Sequence, residues 1–293
     1  MIQEILKRKH ASAEETMQSL SDLRNALSTQ PCPPMLREKV WILLLDVRDI
    51  SASSYINLVE LGPSTSDDQI RNDAFRTMAT DANFLERVSE DMLIRLLNAL
   101  VWKKERESTP SPSNACQQSG FTYLQGMNAL AAPFLMCMPE MSALFAFSEF
   151  IGRWCPLYVQ PNMRGVHCGI RATIMTFSAC TPPLSELLEL WDYMFAHGIH
   201  LNILFVIAQM LMMRADILNS PSPCKILRVW PPLRAQQIIK MTKSLSKALP
   251  SDLHQKLVHH ASDESIADQL GIAANITELQ HVEEDLPAYL RDT

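Results

Sequence analysis

The chain has 293 residues, 47% of them apolar and 20% charged, the balance of a globular protein long enough to bury a core without disulfides or metals, in one or two domains. A net charge of -6 and a pI of about 5.8 give no basic footprint of the kind nucleic-acid binding leaves. Only 8 glycines occur, with no G-x-G-x-x-G and no G-x-x-x-x-G-K-[ST], so the chain is not expected to bind a nucleotide through either of these loops.

In residues 1–30, Met17, Leu20, Arg24 and Leu27 recur at spacings of three and four, which predicts one or two polar helices. The PCPP break at Pro31 to Pro34 ends this segment. Proline suits a first helical turn, so a new helix is predicted from Pro34 to near Asp46, with Leu36, Val40, Leu43 and Leu44 on one side. Arg37 and Trp41 lie four apart on it and read as a structural guanidinium stacked over an indole. The turn LGPSTSDD at 61–68 precedes helices predicted from Asp68 to Thr80 and from Glu90 to Lys104. Residues 103–120, KKERESTPSPSNACQQSG, read as a Ser/Pro loop in which Thr109 and Ser111 each precede a proline and are candidate sites for proline-directed kinases. An apolar helix follows Gly126 to Met138, which Pro133 is expected to kink or break. Further helices are predicted at 141–154, 184–196, 200–214, 232–248 and 251–260, the one at 200–214 apolar nearly all round and therefore central. Neither period-two alternation nor a solenoid repeat is present, so the predicted class is an irregular all-α domain with a loosely attached helical tail after residue 262.

Two segments carry candidate chemistry. In QIRNDAFRTMAT, residues 69–80, the residues Gln69, Asp73, Arg76 and Thr80 form one narrow polar stripe, well away from Ile70, Ala74 and Met78. Asp73 can then hold the Arg76 guanidinium one turn away, although the same pattern also describes a solvated helix face with an ordinary ion pair. Arg71 lies near the apolar side of that helix without an evident role. In FTYLQGMNALAAPF, residues 121–134, a loop delivers Tyr123 and Gln125 to the start of the apolar helix, and Gly126 permits close backbone approach. A capping glutamine fits Gln125 equally well.

Other chemistries find little support. The seven cysteines, Cys32, Cys116, Cys137, Cys155, Cys168, Cys180 and Cys224, include no C-x-x-C and read as reduced thiols, mostly buried, in a cytosolic protein. His254 and His259 are five apart, not the four a metal pair on one helix face needs, so His254, His259 and His260 are assigned to a helix C-terminus. His167 and Cys168 are adjacent and do not face each other. The opening MIQEILKRKH lacks the apolar core of a signal peptide. The most apolar run, Ile199 to Met213, carries His200, Asn202 and Gln209 and is too short to span a bilayer.

Taken together and in order, three signatures resemble the TBC domain, the catalytic module of Rab GTPase-activating proteins: R-x-x-x-W at Arg37 and Trp41, I-x-x-D-x-x-R at Ile70, Asp73 and Arg76, and Y-x-Q at Tyr123 and Gln125. LWDYMFAHGIHLN at 190–202 resembles the family's tryptophan–aspartate segment, with Trp191 and Asp192 as structural residues. IRNDAFRT, TYLQGMNALAAPF and LWDYMFAHGIHLNIL resemble the short fungal members acting in the spindle checkpoint that restrains mitotic exit and septation.

The resemblance implies an all-α, irregular multi-helix TBC (Rab-GAP) domain at 31–250, with an N-terminal helical extension at 1–30 and a C-terminal helical tail at 251–293. It implies an activator, not an enzyme in its own right, that inserts Arg76 as an arginine finger and Gln125 to orient water in a small Rab-like GTPase. Asp73 and Tyr123 support them. No cofactor belongs to the chain, since GTP and Mg²⁺ sit on the partner. A scaffold-like second subunit and a cytoplasmic place at the spindle pole body are further expectations, with no nucleic acid and no membrane span. The chain departs from the family pattern near 170–185, where it is shorter. That shortening favours an alternative, a non-catalytic subunit that binds a GTPase or scaffold.

Overall fold

The computed structural model describes residues 1–8, 12–108, 121, 123–158, 183–223, 226 and 231–269, and it contains helices and turns with no strand among those residues. The N-terminal region forms α1 (Ile2–Leu6) and α2 (Ala13–Thr29). Ser12 caps α2 by accepting from the Glu15 amide at 3.1 Å, and Glu14 and Glu15 place negative charge in its first turn, where the helix dipole favours it. A 3₁₀ turn at Pro34–Leu36 leads into α3 (Arg37–Leu44). Next come α4 (Ala52–Val59), α5 (Asp67–Ala74), α6 (Ala82–Arg87) and α7 (Glu90–Ser108). After residue 121 the chain forms α8 (Met127–Cys137) and α9 (Glu140–Glu149), and α9 runs into a π turn at Phe150–Trp154. The last elements are α10 (Leu184–His197), α11 (Leu201–Met212), α12 (Arg214–Asn219), α13 (Ala235–Ala248), α14 (Ser251–His259) and α15 (Glu264–Gln269).

The core is an aromatic stack built by α3, α8, α10 and the end of α9. Trp41 meets Phe134 edge-on at 5.4 Å, Phe195 edge-on at 4.9 Å and Trp191 in a stacked arrangement at 5.9 Å. Phe147 and Phe150 close the other side of Phe134. These edge and offset geometries suit the ring quadrupoles and add to the large area each ring buries. One contiguous apolar cluster extends from Ile2 in α1 to Ala261 beyond α14.

Several expectations are corrected by this packing. The helix starting near Asp67 ends at Ala74, so Arg76 and Thr80 lie in the turns beyond it and no continuous stripe of Gln69, Asp73, Arg76 and Thr80 exists. The helix predicted to stop at Lys104 continues to Ser108, which moves the start of the Ser/Pro loop; Thr109, Ser111 and the rest of 109–120 lie outside the described residues. Pro133 does not break α8, because Ala131, Ala132, Phe134 and Leu135 are all buried around it and their burial outweighs the roughly 3 kcal/mol a helical proline costs. α11 is not apolar all round in its surroundings: Leu204, Phe205 and Ala208 are buried, whereas Ile207, Met210 and Leu211 are exposed. α4 and α6 were not legible as helices, since each is short and opens on polar residues. Both carry side-chain caps, Ser51 to the Ser54 amide and Asp81 to the Phe84 amide. The shortening near 170–185 falls almost wholly outside the described residues, as do His167, Cys116, Cys168, Cys180 and Cys224.

Candidate functional site

The site forms where the C-terminal end of α5 meets the start of α8. Ile70 and Ala74 anchor α5 in the core and carry Asp73 inward with them, so its carboxylate is 3% exposed. A buried carboxylate needs donors. One is Arg76, whose guanidinium pairs with Asp73 Oδ1 while the arginine side chain itself stays 51% exposed. The other is the Tyr123 hydroxyl, which donates to Asp73 Oδ2 at 3.1 Å. Burial first, and then the Asp73 carboxylate, push the Tyr123 phenol well above its ordinary value, so it remains a protonated donor.

The turn after α5 is fixed from a third direction by Asn128, in the first turn of α8. Its Nδ2 donates to Thr77 Oγ1 at 2.8 Å and to the Asp73 carbonyl at 3.3 Å, and its Oδ1 accepts from the Gly126 amide at 3.0 Å. Thr77 Oγ1 in turn donates to the Asp73 carbonyl at 2.9 Å. One amide side chain therefore ties the loop that carries Arg76 to the loop that carries Gln125. Gly126 adopts φ 102°, a left-handed conformation open to glycine, and reverses the chain directly after the exposed Gln125. Met78 sits at φ 50°, a conformation that costs a residue with a Cβ roughly 1–2 kcal/mol and turns the chain back toward α6.

Arg76 and Gln125 thus both reach solvent from backbones locked to the same junction. Asp73 and Tyr123 are buried behind them, so Asp73 lies on the core side with Ile70 and Ala74 and not on a polar stripe well away from them. Asn128 and Thr77 were missed; the only signal was their position, two residues after Gly126 and one after Arg76. Gln125 does not cap α8, whose first residues receive no side-chain cap. Arg71, without a role in the sequence, pairs with Asp67 one turn back on the exposed face.

The other motif residues assemble in the core. The Arg37–Trp41 pair is not a guanidinium stacked on an indole. Arg37 Nε and Nη2 grip the Asp192 carboxylate at 2.8–3.0 Å, and Trp41 Nε1 donates to the same carboxylate at 2.7 Å. The four-residue spacing serves to bring two donors to one buried acceptor from α10, and Trp191 stacks on Trp41 from the adjacent position. Cys32, Cys137 and Cys155 are free thiols; Cys32 and Cys155 are buried, and burial pushes the Cys32 and Cys137 thiols up to about 12. His254 and His260 do more than favour a helix end. The His254 ring lies 5.6 Å from that of buried His200, and His260 is itself buried. Among the described residues no group of three or more His, Cys, Asp or Glu side chains is placed to hold a metal, and no helix is long and apolar enough to cross a membrane.

Comparison with known proteins identifies the family. Residues 34–173 match the Rab-GTPase-TBC domain family. The chain is 40% identical over 257 residues to cell division control protein 16 of Schizosaccharomyces pombe, covering 78% of this chain and 81% of that one. It is 32% identical over 288 residues to mitotic check point protein BUB2 of Saccharomyces cerevisiae, covering 85% and 94%. A putative mitotic check point protein BUB2 of Dictyostelium discoideum is 34% identical over 253 residues, 77% and 65% of the two chains. Among solved structures, the Chlamydomonas flagellar RabGAP TBC domain superposes with a TM-score of 0.50 at 15% identity, covering 88% of this chain and 87% of that chain, a likeness of fold alone. The chain belongs to the Rab-GTPase-TBC domain family and is a GTPase-activating protein.

Proposed function

We propose that the protein accelerates GTP hydrolysis on a small Rab-like GTPase by inserting Arg76 against the terminal phosphate and using Gln125 to orient the attacking water. The observation that carries this reading is the Asp73 carboxylate, which is buried yet held on one side by Tyr123 and on the other by the exposed Arg76. An arginine aimed this way is preorganised to meet charge developing on phosphate oxygens without reorganising at the moment of reaction. Asn128 holds the Gln125 loop in register with it. In this reading GTP and Mg²⁺ are the partner's and the chain supplies residues in trans, without turnover chemistry of its own. The likeness to cell division control protein 16 and to mitotic check point protein BUB2 supports a role in restraining mitotic exit or septation. A scaffold-like second subunit and a place at the spindle pole body belong to the same proposal.

Single-turnover GTP hydrolysis by Rab-like and septation-type GTPases, with and without a scaffold subunit, tests the proposal. Arg76→Ala is expected to lower the accelerated rate by roughly 10³–10⁵, and Gln125→Ala by on the order of 10². Measurable binding with no acceleration by the wild-type chain would leave it a docking subunit instead.

A further inference from the structure

The helix that carries Asp73 ends at Ala74, and the next residue, Phe75, is 66% exposed. Its neighbours in the chain are all committed. Asp73 and Ala74 are buried, Arg76 is paired with Asp73, and Thr77 is buried in the hydrogen bonds of Asn128. Phe75 keeps helical backbone angles, φ -62° and ψ -24°, so the ring is held outward by a fixed turn. No aromatic ring or cation among the described residues packs on it. A phenyl group so placed leaves apolar surface in water that burial would favour removing.

Consecutive Cα atoms are about 3.8 Å apart. Any partner that receives Arg76 therefore meets Phe75 within one residue of the reacting centre. Protein interfaces take up about 20–30 residues on each side, and aromatic side chains near their centre carry a large part of the affinity. We infer that Phe75 is a specificity-determining residue, seating in an apolar depression on the GTPase surface beside its nucleotide pocket. GTPases that present a charged or filled surface at that place are rejected, because the ring would then be buried against polar groups. The inference rests on Arg76 being the finger. Unlike Arg76, Phe75 touches no reacting atom, so its contribution is equal before and during hydrolysis and appears in KM, not in kcat.

The test uses the full chain and, from a panel of Rab-type GTPases, the one that binds the wild-type protein most tightly in its GDP–aluminium fluoride form. Binding is titrated in that form, and GTP hydrolysis is followed under single turnover at increasing activator concentration. Phe75→Ala is expected to weaken binding and raise KM about tenfold with the maximal rate within about twofold of wild type. Phe75→Leu, which keeps an apolar side chain, is expected to stay within about threefold. Met17→Ser, at a residue 70% exposed on α2, controls for loss of exposed apolar surface in general and is expected to change neither quantity. Thermal melting of each variant confirms that the fold is retained, as the exposure of Phe75 requires. Binding and KM of Phe75→Ala within about twofold of wild type, or a loss confined to kcat, would overturn the inference while Arg76→Ala remained inactive. Full activity of Arg76→Ala would instead overturn the finger reading on which it rests.

Discussion

At the scale of single residues, the site is organised around one carboxylate. Asp73 is too buried to be left without donors, and it receives one from each of the two motifs that the sequence places 50 positions apart. Tyr123 is the more structural of the two donors, because its ring is buried and its hydroxyl donates to the buried carboxylate. Tyr123→Phe keeps the ring and deletes that bond. The expected outcome is a loss of about 1–2 kcal/mol in denaturant unfolding, together with a maximal GTPase-activating rate lowered about tenfold as Arg76 loses its fixed direction. The pairing of Asp73 with Arg76 was legible from a spacing of three. The bond from Tyr123 to Asp73 was not, because nothing in a sequence says which tyrosine faces which carboxylate.

At the scale of elements, the relevant unit is the junction of α5 with α8. The continuous helix expected over residues 68–80 would have carried Arg76 round to whichever face its angle dictated. The actual helix stops at Ala74, and the turn is rebuilt from Thr77, Met78 and Asn128. Asn128→Ala removes three hydrogen bonds at once and uncouples the two loops. It is expected to cost about 2–3 kcal/mol in stability and to lower the maximal rate by more than Tyr123→Phe does, since both Arg76 and Gln125 are released. Stopped-flow phosphate release, compared with the unfolding midpoint, separates the two effects. The early stop of α5 is invisible in local propensity because it is imposed by a side chain from another helix.

At the scale of the whole molecule, two buried polar clusters hold the helices in register. The first is Asp192 with Arg37 and Trp41, which ties α3 to α10. Asp192→Ala leaves a buried guanidinium without a partner and is expected to cost about 3–5 kcal/mol. Combining Arg37→Met with Asp192→Asn removes the stranded charge and keeps an acceptor for Trp41 Nε1, so chemical denaturation of the double variant is expected to show much of that loss recovered. The second cluster surrounds His200. It sits just beyond Gly198, whose φ of 123° and close approach to the His200 ring leave no room for a Cβ. Burial, followed by His254, His260 and His197, lowers the His200 pKa to about 4. Between about pH 6.5 and pH 4 the unfolded chain therefore binds the proton that the folded chain refuses, so this contribution to stability is complete above pH 6.5 and is lost as the pH falls. From pH 7 to pH 5 the loss is expected to be about 2 kcal/mol. Urea titrations at the two pH values check it, and His200→Gln is expected to remove that part of the pH dependence.

The sequence by itself determined the helical class, the order of most long helices and the three motifs, because apolar periodicity, proline breaks and residue spacing are local properties written along the chain. Arg76, Gln125, Asp73 and Tyr123 are all named by those motifs. Only the tertiary structure decided that Arg37 and Trp41 share Asp192, that Pro133 lies inside an unbroken helix, that α5 ends before Arg76, and that Asn128 binds the two loops together. Each of those outcomes depends on a partner remote in sequence. The burial and hydrogen bonding such a partner supplies are large enough to override what the local residues prefer.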